Sequence, residues 1–260
     1  MEAHAYLERI GVGKAGLPID ASGLALLQAQ HLLTVPFENL DIHWGCPIRL
    51  ELSQLYRKVV INRRGGFCFE LNGLFAWLLQ ELGFRVTLLA ASVFKPDGTL
   101  PPRPDHLTLL VSLDQPYLVD VGFGDSFRQP LPLTGEERRD VSGTYRIVKQ
   151  EEGRFLLQHK GEGGWKAKFL FTLAPRVLSD FTEVCEELQT SPDSIFKQKR
   201  ICTIATVNGR VTLSDECLAV TEEGIKRKKL LTSERERTQL LYRHFGLVCP
   251  NDEKNDKTGS

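Results

Sequence analysis

The sequence predicts an α+β protein in three consecutive stretches: helical over residues 1–84, strand-rich over 85–190 and mixed over 191–260. Three observations carry this. Apolar residues recur at helical spacing up to Gly83, the period changes to that of strands at Arg85, and from Leu178 helical patterns alternate with a hairpin signal. With 260 residues, 42% of them hydrophobic, the chain can bury the core of one large domain or of two to three small ones.

The elements follow in order. Asp20-Ala21-Ser22-Gly23 predicts the cap of a helix carrying Leu24, Leu26, Leu27, His31, Leu32 and Leu33. Pro36 ends it, because the residue before a proline is pushed out of the helical region. Ser53 is the expected cap of a segment with Leu55, Tyr56, Val59 and Val60 at helical spacing. After Gly65-Gly66, an apolar face runs through Cys68, Leu71, Leu74, Phe75, Leu78, Leu79 and Leu82, and Gly83 stops it. Val86–Phe94 is rich in strand formers, and a proline-dense loop from Pro96 to Asp105 follows. His106–Leu113 and Tyr117–Phe123 predict two strands around a short turn. Tyr145–Lys149, Phe155–His159 and Trp165–Thr172 predict more at even spacing, which suits a sheet or partly closed barrel. Leu178–Gln189 is helical in pattern, and Thr190–Ser194 is a loop that starts another helix. Asn208-Gly209 is the hairpin signal between Ile201–Asn208 and Arg210–Leu213. Glu234–Phe245 predicts a closing helix with Gly246 past its end, and residues 251–260 are expected to be disordered.

Composition narrows the function. Lys+Arg and Asp+Glu are both 33, so the chain lacks the basic excess of a nucleic-acid binder. The one basic run, Lys226-Arg227-Lys228-Lys229, follows Glu222-Glu223 and is expected as a solvated turn or strand edge. No apolar run reaches the roughly 18–20 residues of a membrane span, and the N-terminus lacks a signal-peptide pattern. A cytoplasmic location is therefore expected. The cysteines at 46, 68, 185, 202, 217 and 249 form no C-x-x-C pair or compact Cys/His cluster. Zinc is not expected, and most of these thiols should be reduced, small buried hydrophobes.

Cys68 departs from that pattern. It follows Arg63-Arg64-Gly65-Gly66-Phe67 and opens a helix. Helix N-termini and guanidinium groups lower a thiol pKa from about 8.5. A cysteine nucleophile also needs a base, and the base an orienting group. His4, His31, His43, His159 and His244 read as surface or packing residues. His106 starts a strand, and the next strand brings Asp120 within Tyr117-Leu118-Val119-Asp120-Val121-Gly122-Phe123-Gly124. A carboxylate in such an apolar run has to be paired.

Register decides whether His106 is its partner. If Ser112 faces Pro116, His106 and Asp120 become diagonal neighbours roughly 7–8 Å apart. If Leu113 faces Tyr117, they separate by about 13 Å along the strand. Spacing alone leaves open a pairing of Asp120 with Arg64 or Arg103. Asp105, Asp114 and Asp125 compete for the third role, but each reads as a loop residue.

Together these motifs resemble the arylamine N-acetyltransferase family over nearly the whole chain, from about Tyr6 to Leu247. The matching segments are Val35-Pro36-Phe37-Glu38-Asn39-Leu40, Arg64-Gly65-Gly66-Phe67-Cys68-Phe69-Glu70-Leu71-Asn72, His106-Leu107 and Val119–Gly124. Leu188-Gln189-Thr190-Ser191-Pro192, with Ser194 and Phe196, matches more weakly. The resemblance implies an N-terminal helical bundle, a central β-barrel and a C-terminal α/β lid around a cysteine-protease-like core of Cys68, His106 and Asp120. The chain lacks the long insertion after the barrel of the mammalian enzymes and resembles a bacterial-type member.

The implied activity is ping-pong acetyl transfer from acetyl-CoA, as co-substrate and without a metal, to an arylamine, hydrazine or arylhydroxylamine. Phe37, Val93, Phe94, Phe123 and Ile201 are the implied acceptor pocket, and Gly122, Gly124, Asp125 and Ser126 the implied CoA contacts. Glu38, Arg64 and Asn72 are expected as one buried network under the cysteine loop, with Arg64 also stabilising the thiolate. Pro101, Pro102 and Pro104 depart from the family, whose human-type members carry a CoA-contacting Thr-Gly pair in that loop. The expected partners are small molecules, with no nucleic acid and no membrane, on a monomer or weak homo-oligomer. Two other readings are a cysteine hydrolase of papain or transglutaminase type and a non-catalytic binder of CoA or aromatic ligands.

Overall fold

In the computed structural model, which describes residues 1–13 and 16–248, the chain opens with α1 (Ala3–Arg9) and α2 (Ala21–Thr34). Asp20 caps α2, its Oδ1 accepting the N–H groups of Ser22 at 2.8 Å and Gly23 at 3.1 Å. β1 (Phe37–Glu38), α3 (Leu40–Trp44) and α4 (Leu52–Tyr56) follow. Ser53 is not the cap of α4. Leu52 already packs on the core in helical backbone, so the cap falls on Glu51, whose carbonyl accepts the N–H groups of Gln54 and Leu55. Arg57–Ile61 then widens into a π-turn before the glycine pair. α5 (Cys68–Glu81) is buried from Cys68 to Leu79, and Gly83 just beyond its end takes φ 97°. The expected disordered tail lies outside the described residues.

The strand-rich stretch forms one eight-stranded antiparallel sheet. Its strands are β2 (Arg85–Val93), β3 (His106–Ser112), β4 (Pro116–Val119), β5 (Leu131–Pro132), β6 (Arg138–Asp140), β7 (Gly143–Lys149), β8 (Arg154–Gly161) and β9 (Gly164–Thr172). Their order is β5-β4-β3-β2-β9-β8-β7-β6, and the sheet rolls until β5 approaches β7, a nearly closed barrel. Leu89, Phe127, Ile147, Leu157, Phe169 and Phe171 fill the inside, while β2 and β3 pack on α5. Ser112 faces Pro116, the register that the His106–Asp120 pairing requires. The second strand of this hairpin is shorter than predicted and stops at Val119. The chain leaves the ladder there because side chains take over its backbone groups: Val121 N–H donates to Asn72 and Gly122 N–H to Asp120.

A 3-10 turn at Leu178–Phe181 leads into α6 (Thr182–Thr190) and the single-turn α7 (Ile195–Gln198). β10 (Ile201–Thr206), β11 (Gly209–Ser214), β12 (Cys217–Glu222) and β13 (Ile225–Leu230) complete a second sheet, closed by α8 (Glu234–Phe245). β1 joins this sheet beside β10, pairing Phe37 with Thr203 and Glu38 with Cys202. Asn208-Gly209 is not the centre of its hairpin. Thr206 pairs with Gly209, so Val207-Asn208 makes the turn. Gly209 is needed for strand approach instead, since a Cβ there would lie 1.7 Å from the Thr221 carbonyl oxygen. The basic run lies on β13, an exposed edge strand, where lysines discourage pairing with another chain.

Candidate active site

The turn before Cys68 is pinned from two sides. Glu38 N–H donates to Gly66 O at 2.9 Å, and Phe67 N–H donates to Glu70 Oε2 at 3.0 Å. Beneath it lies a buried charge cluster. Arg64 donates to Glu38 Oε1 through Nε at 3.0 Å and Nη2 at 2.6 Å, reaches Asp41 Oδ1 at 2.8 Å and stacks over Trp44. Lys58 bridges Asp41 and Glu70, each at 2.7 Å. The cluster holds three acids and two bases. Burial raises the Glu70 carboxyl to about 7 against the pull of Lys58, while the surrounding carboxylates hold the Lys58 ammonium charged.

This arrangement corrects the expected role of the arginines. Arg64 is spent on Glu38 and Asp41, and the charged groups that weigh most on the thiol are carboxylates rather than a guanidinium. Burial pushes the Cys68 thiol well above the usual range, and Asp105, Cys185 and Asp120 add to the push; the Leu107 N–H opposes it. The expected network also divides. Asn72 belongs to the Asp120 side, away from Glu38 and Arg64.

His106 Nε2 lies 2.6 Å from Asp120 Oδ2, with both residues buried. Asp120 Oδ1 accepts from Asn72 Nδ2 at 2.9 Å and from Gly122 N–H at 2.8 Å. Three donors thus surround a carboxylate shut off from water, which compensates its charge. Arg64 and Arg103 take no part, since Arg103 pairs with Glu183 and Glu187 on α6. Phe123 meets the His106 ring edge-on at 5.2 Å, and Phe169 lies 5.3 Å from it. The other ring nitrogen, Nδ1, is left free of the carboxylate.

Cys68 and His106 open on one cavity of about 380 Å³, which Phe37, Val93, Gly122, Phe123 and Ile201 also line. Gly122 has to be glycine, because a Cβ there would sit 2.7 Å from Cys68 Cα and 2.8 Å from Asn72 Nδ2. Phe94 does not line this cavity but an adjoining one of about 570 Å³. The two cavities share Val93, Asp105, Leu188 and Ile195.

Gly124, Asp125 and Ser126 do not line this cavity. A Cβ on Gly124 would lie 3.6 Å from Phe37 and 3.7 Å from Thr203, Asp125 pairs with Arg210 at 2.9 Å, and Ser126 Oγ is buried without a hydrogen-bond partner among the described residues. Asp105, Leu188, Ile195, Phe196 and Lys199 also line the cavity and were not among the predicted site residues. Leu188 and Phe196 fall in the weakest matching segment, and nothing in the sequence marks Lys199.

A family model described as N-acetyltransferase matches residues 20–253. The arylamine N-acetyltransferase pineal gland isozyme NAT-3 of Gallus gallus is 36% identical over 231 residues, 80% of this chain and 79% of that protein. The arylamine N-acetyltransferase structure from Salmonella typhimurium superposes with a TM-score of 0.89 at 31% identity, covering 94% of this chain and 90% of that one. The Mycobacterium marinum arylamine N-acetyltransferase in complex with CoA superposes with a TM-score of 0.86 at 32% identity, covering 94% and 92%.

Proposed function

The chain belongs to the arylamine N-acetyltransferase family, and we propose that it moves an acetyl group from acetyl-CoA to the nitrogen of an arylamine, hydrazine or arylhydroxylamine through a thioester on Cys68. The observation that carries this reading is the opening of Cys68 and the Asp120-held His106 on one largely apolar cavity. Residues 1–84 supply the nucleophile, 85–190 the histidine and its acid, and the start of the stretch from 191, through Ile195, Phe196, Lys199 and Ile201, much of the roof.

A buried thiolate standing alone is unfavourable, as the upward push on Cys68 states. The thiolate therefore forms as half of an ion pair, its proton moving from Sγ to His106 Nδ1. Asp120 favours the resulting imidazolium and holds the ring. The sulfur attacks the acetyl carbonyl carbon. The Cys68 N–H, at the start of α5 without an intrahelical partner, is a donor for the oxyanion. The bond to the CoA sulfur then breaks, and that sulfur leaves with the His106 proton. In the second half, the amine nitrogen attacks the thioester, His106 takes its proton, and as the bond to Cys68 breaks that proton passes to Sγ and restores the thiol.

Phe37, Phe123 and Phe196 offer aromatic walls to an aryl ring, with edge contacts contributing about 0.5–1.5 kcal/mol beyond burial. The loop 122–126 suits the pantetheine arm better than the phosphates, because Asp125 places a carboxylate there. Mixing the protein with acetyl-CoA alone should produce an adduct of about 42 Da that Cys68→Ala abolishes and that an arylamine discharges. No adduct, or loss to water at one rate with and without amine, would refute the transferase reading; the second result would favour the hydrolase.

A further inference from the structure

We infer that Asn39 is a positioning residue that clamps the roof of the catalytic cavity and so governs how the acetyl-Cys68 thioester divides between amine and water; this rests on Cys68 being the acyl carrier. Asn39 lies between β1 and α3 and is fully buried. Its Nδ2 donates to Phe196 O at 2.9 Å and to Lys199 O at 2.7 Å, and its Oδ1 accepts the Ile201 N–H at 2.8 Å. Its own N–H donates to Ile201 O at 3.3 Å. Phe196, Lys199 and Ile201 all line the cavity. One side chain thus ties together three wall residues from more than 150 positions away in sequence.

The roof needs such a tie. α7 is a single turn of four residues, and Lys199 after it is extended, so the segment has few backbone bonds of its own. Among the described residues, the only other side chain that donates to these carbonyls is His43, whose Nε2 lies 2.9 Å from Phe196 O. The roof is also thin, since Ile195 lines the cavity and is yet 67% exposed. On its inner side Phe196 rests on Phe37 and Phe67, at centroid distances of 6.1 Å and 5.8 Å. The two residues before Asn39 hold the nucleophile side: Phe37 bridges to Gly66, and Glu38 donates to Gly66 O. Phe37-Glu38-Asn39 therefore couples the cysteine turn to the roof above it.

Loss of the Asn39 amide leaves the Lys199 carbonyl and the Ile201 N–H without these partners, and the roof segment then has reason to move toward water. Water attack on the thioester yields acetate and the free thiol, whereas amine attack yields the N-acetyl product and the same thiol. The ratio of acetate to N-acetyl product, measured at a fixed concentration of 4-methoxyaniline with acetyl-CoA as donor, reports the clamp directly. It is a ratio per acetyl-enzyme and does not depend on the folded fraction.

Asn39→Ala should raise the acetate share at least about tenfold and raise KM for the amine, with a smaller change in Cys68 acetylation by p-nitrophenyl acetate. Asn39→Asp keeps the acceptor for Ile201 but loses both donors, and should follow Asn39→Ala. His43→Ala removes one of two donors to Phe196 and should shift the ratio in the same direction by less. An unchanged ratio in whichever Asn39 variant folds, or in His43→Ala if neither does, overturns the inference. Failure of the unsubstituted protein to form the thioester overturns the proposed function and this inference together.

Discussion

Asn72→Ala tests whether one amide sustains the junction between the Cys68 helix and the His106 strand. Asn72 stands where β4 has left β3 and replaces the missing ladder. Its Nδ2 donates to Leu107 O at 2.6 Å on β3, and its Oδ1 accepts the Val121 N–H at 2.8 Å on the departing chain. Nδ2 also donates to Asp120 Oδ1 at 2.9 Å. Truncation leaves two buried backbone groups unpaired, each costing about 1–3 kcal/mol. Asp120 keeps His106 and the Gly122 N–H, so its charge stays partly compensated. The expected loss is about 2–6 kcal/mol, a large share of the roughly 5–15 kcal/mol that holds a typical domain folded. Urea unfolding followed by tryptophan fluorescence measures it from the shift in midpoint at constant slope. Cys68 acetylation by acetyl-CoA should slow by about tenfold or more in the folded variant, because His106 and Asp120 lose their common support. A loss below about 1 kcal/mol with unchanged acetylation would refute this account of the junction.

Two pH predictions follow from the same geometry. The alkylation rate of Cys68 by iodoacetamide should titrate below the ordinary thiol value of about 8.5, because the proton passes to His106. In His106→Ala burial acts alone, and the profile should move above that value; superimposable profiles would sink the ion pair. Glu70 gives a stability prediction. Its carboxyl titrates at about 7 in the fold and at about 4.3 in the unfolded chain. Between these values the folded chain binds a proton that the unfolded chain has released, so this group's contribution to stability falls as pH rises through that window. Glu70→Gln should remove that slope in urea midpoints measured across it, and an unaltered slope would show that another group carries the proton.

Legibility in the sequence followed the range of the forces. α2 and α8 were visible because end signals and apolar spacing are local, and Asp20 and Gly246 sit at their ends as the pattern requires. The basic run on β13 was legible for the same reason. The Asn208-Gly209 signal located the hairpin but not the centre of its turn, because Gly209 answers to a strand 12 residues further on, at Thr221. The early end of β4 was hidden likewise, since the groups that replace its ladder come from α5.

By itself the sequence determined the three-stretch α+β order, the placing of Cys68 at a helix start, and the conditional register that would bring His106 to Asp120. Those features depend on local backbone preference and on strand arithmetic. Only the tertiary structure decided that Arg64 serves Glu38 and Asp41 instead of the thiol, that Asn72 sides with Asp120, and that Asn39 holds a roof made from residues 196–201. Hydrogen bonds and ion pairs between buried side chains depend on which surfaces meet, and neighbours in the chain carry no record of that. The thiol shows the difference most plainly. Beside two arginines in sequence it looked activated, whereas in the fold burial raises it and the histidine that lines its cavity is His106, brought there from another strand.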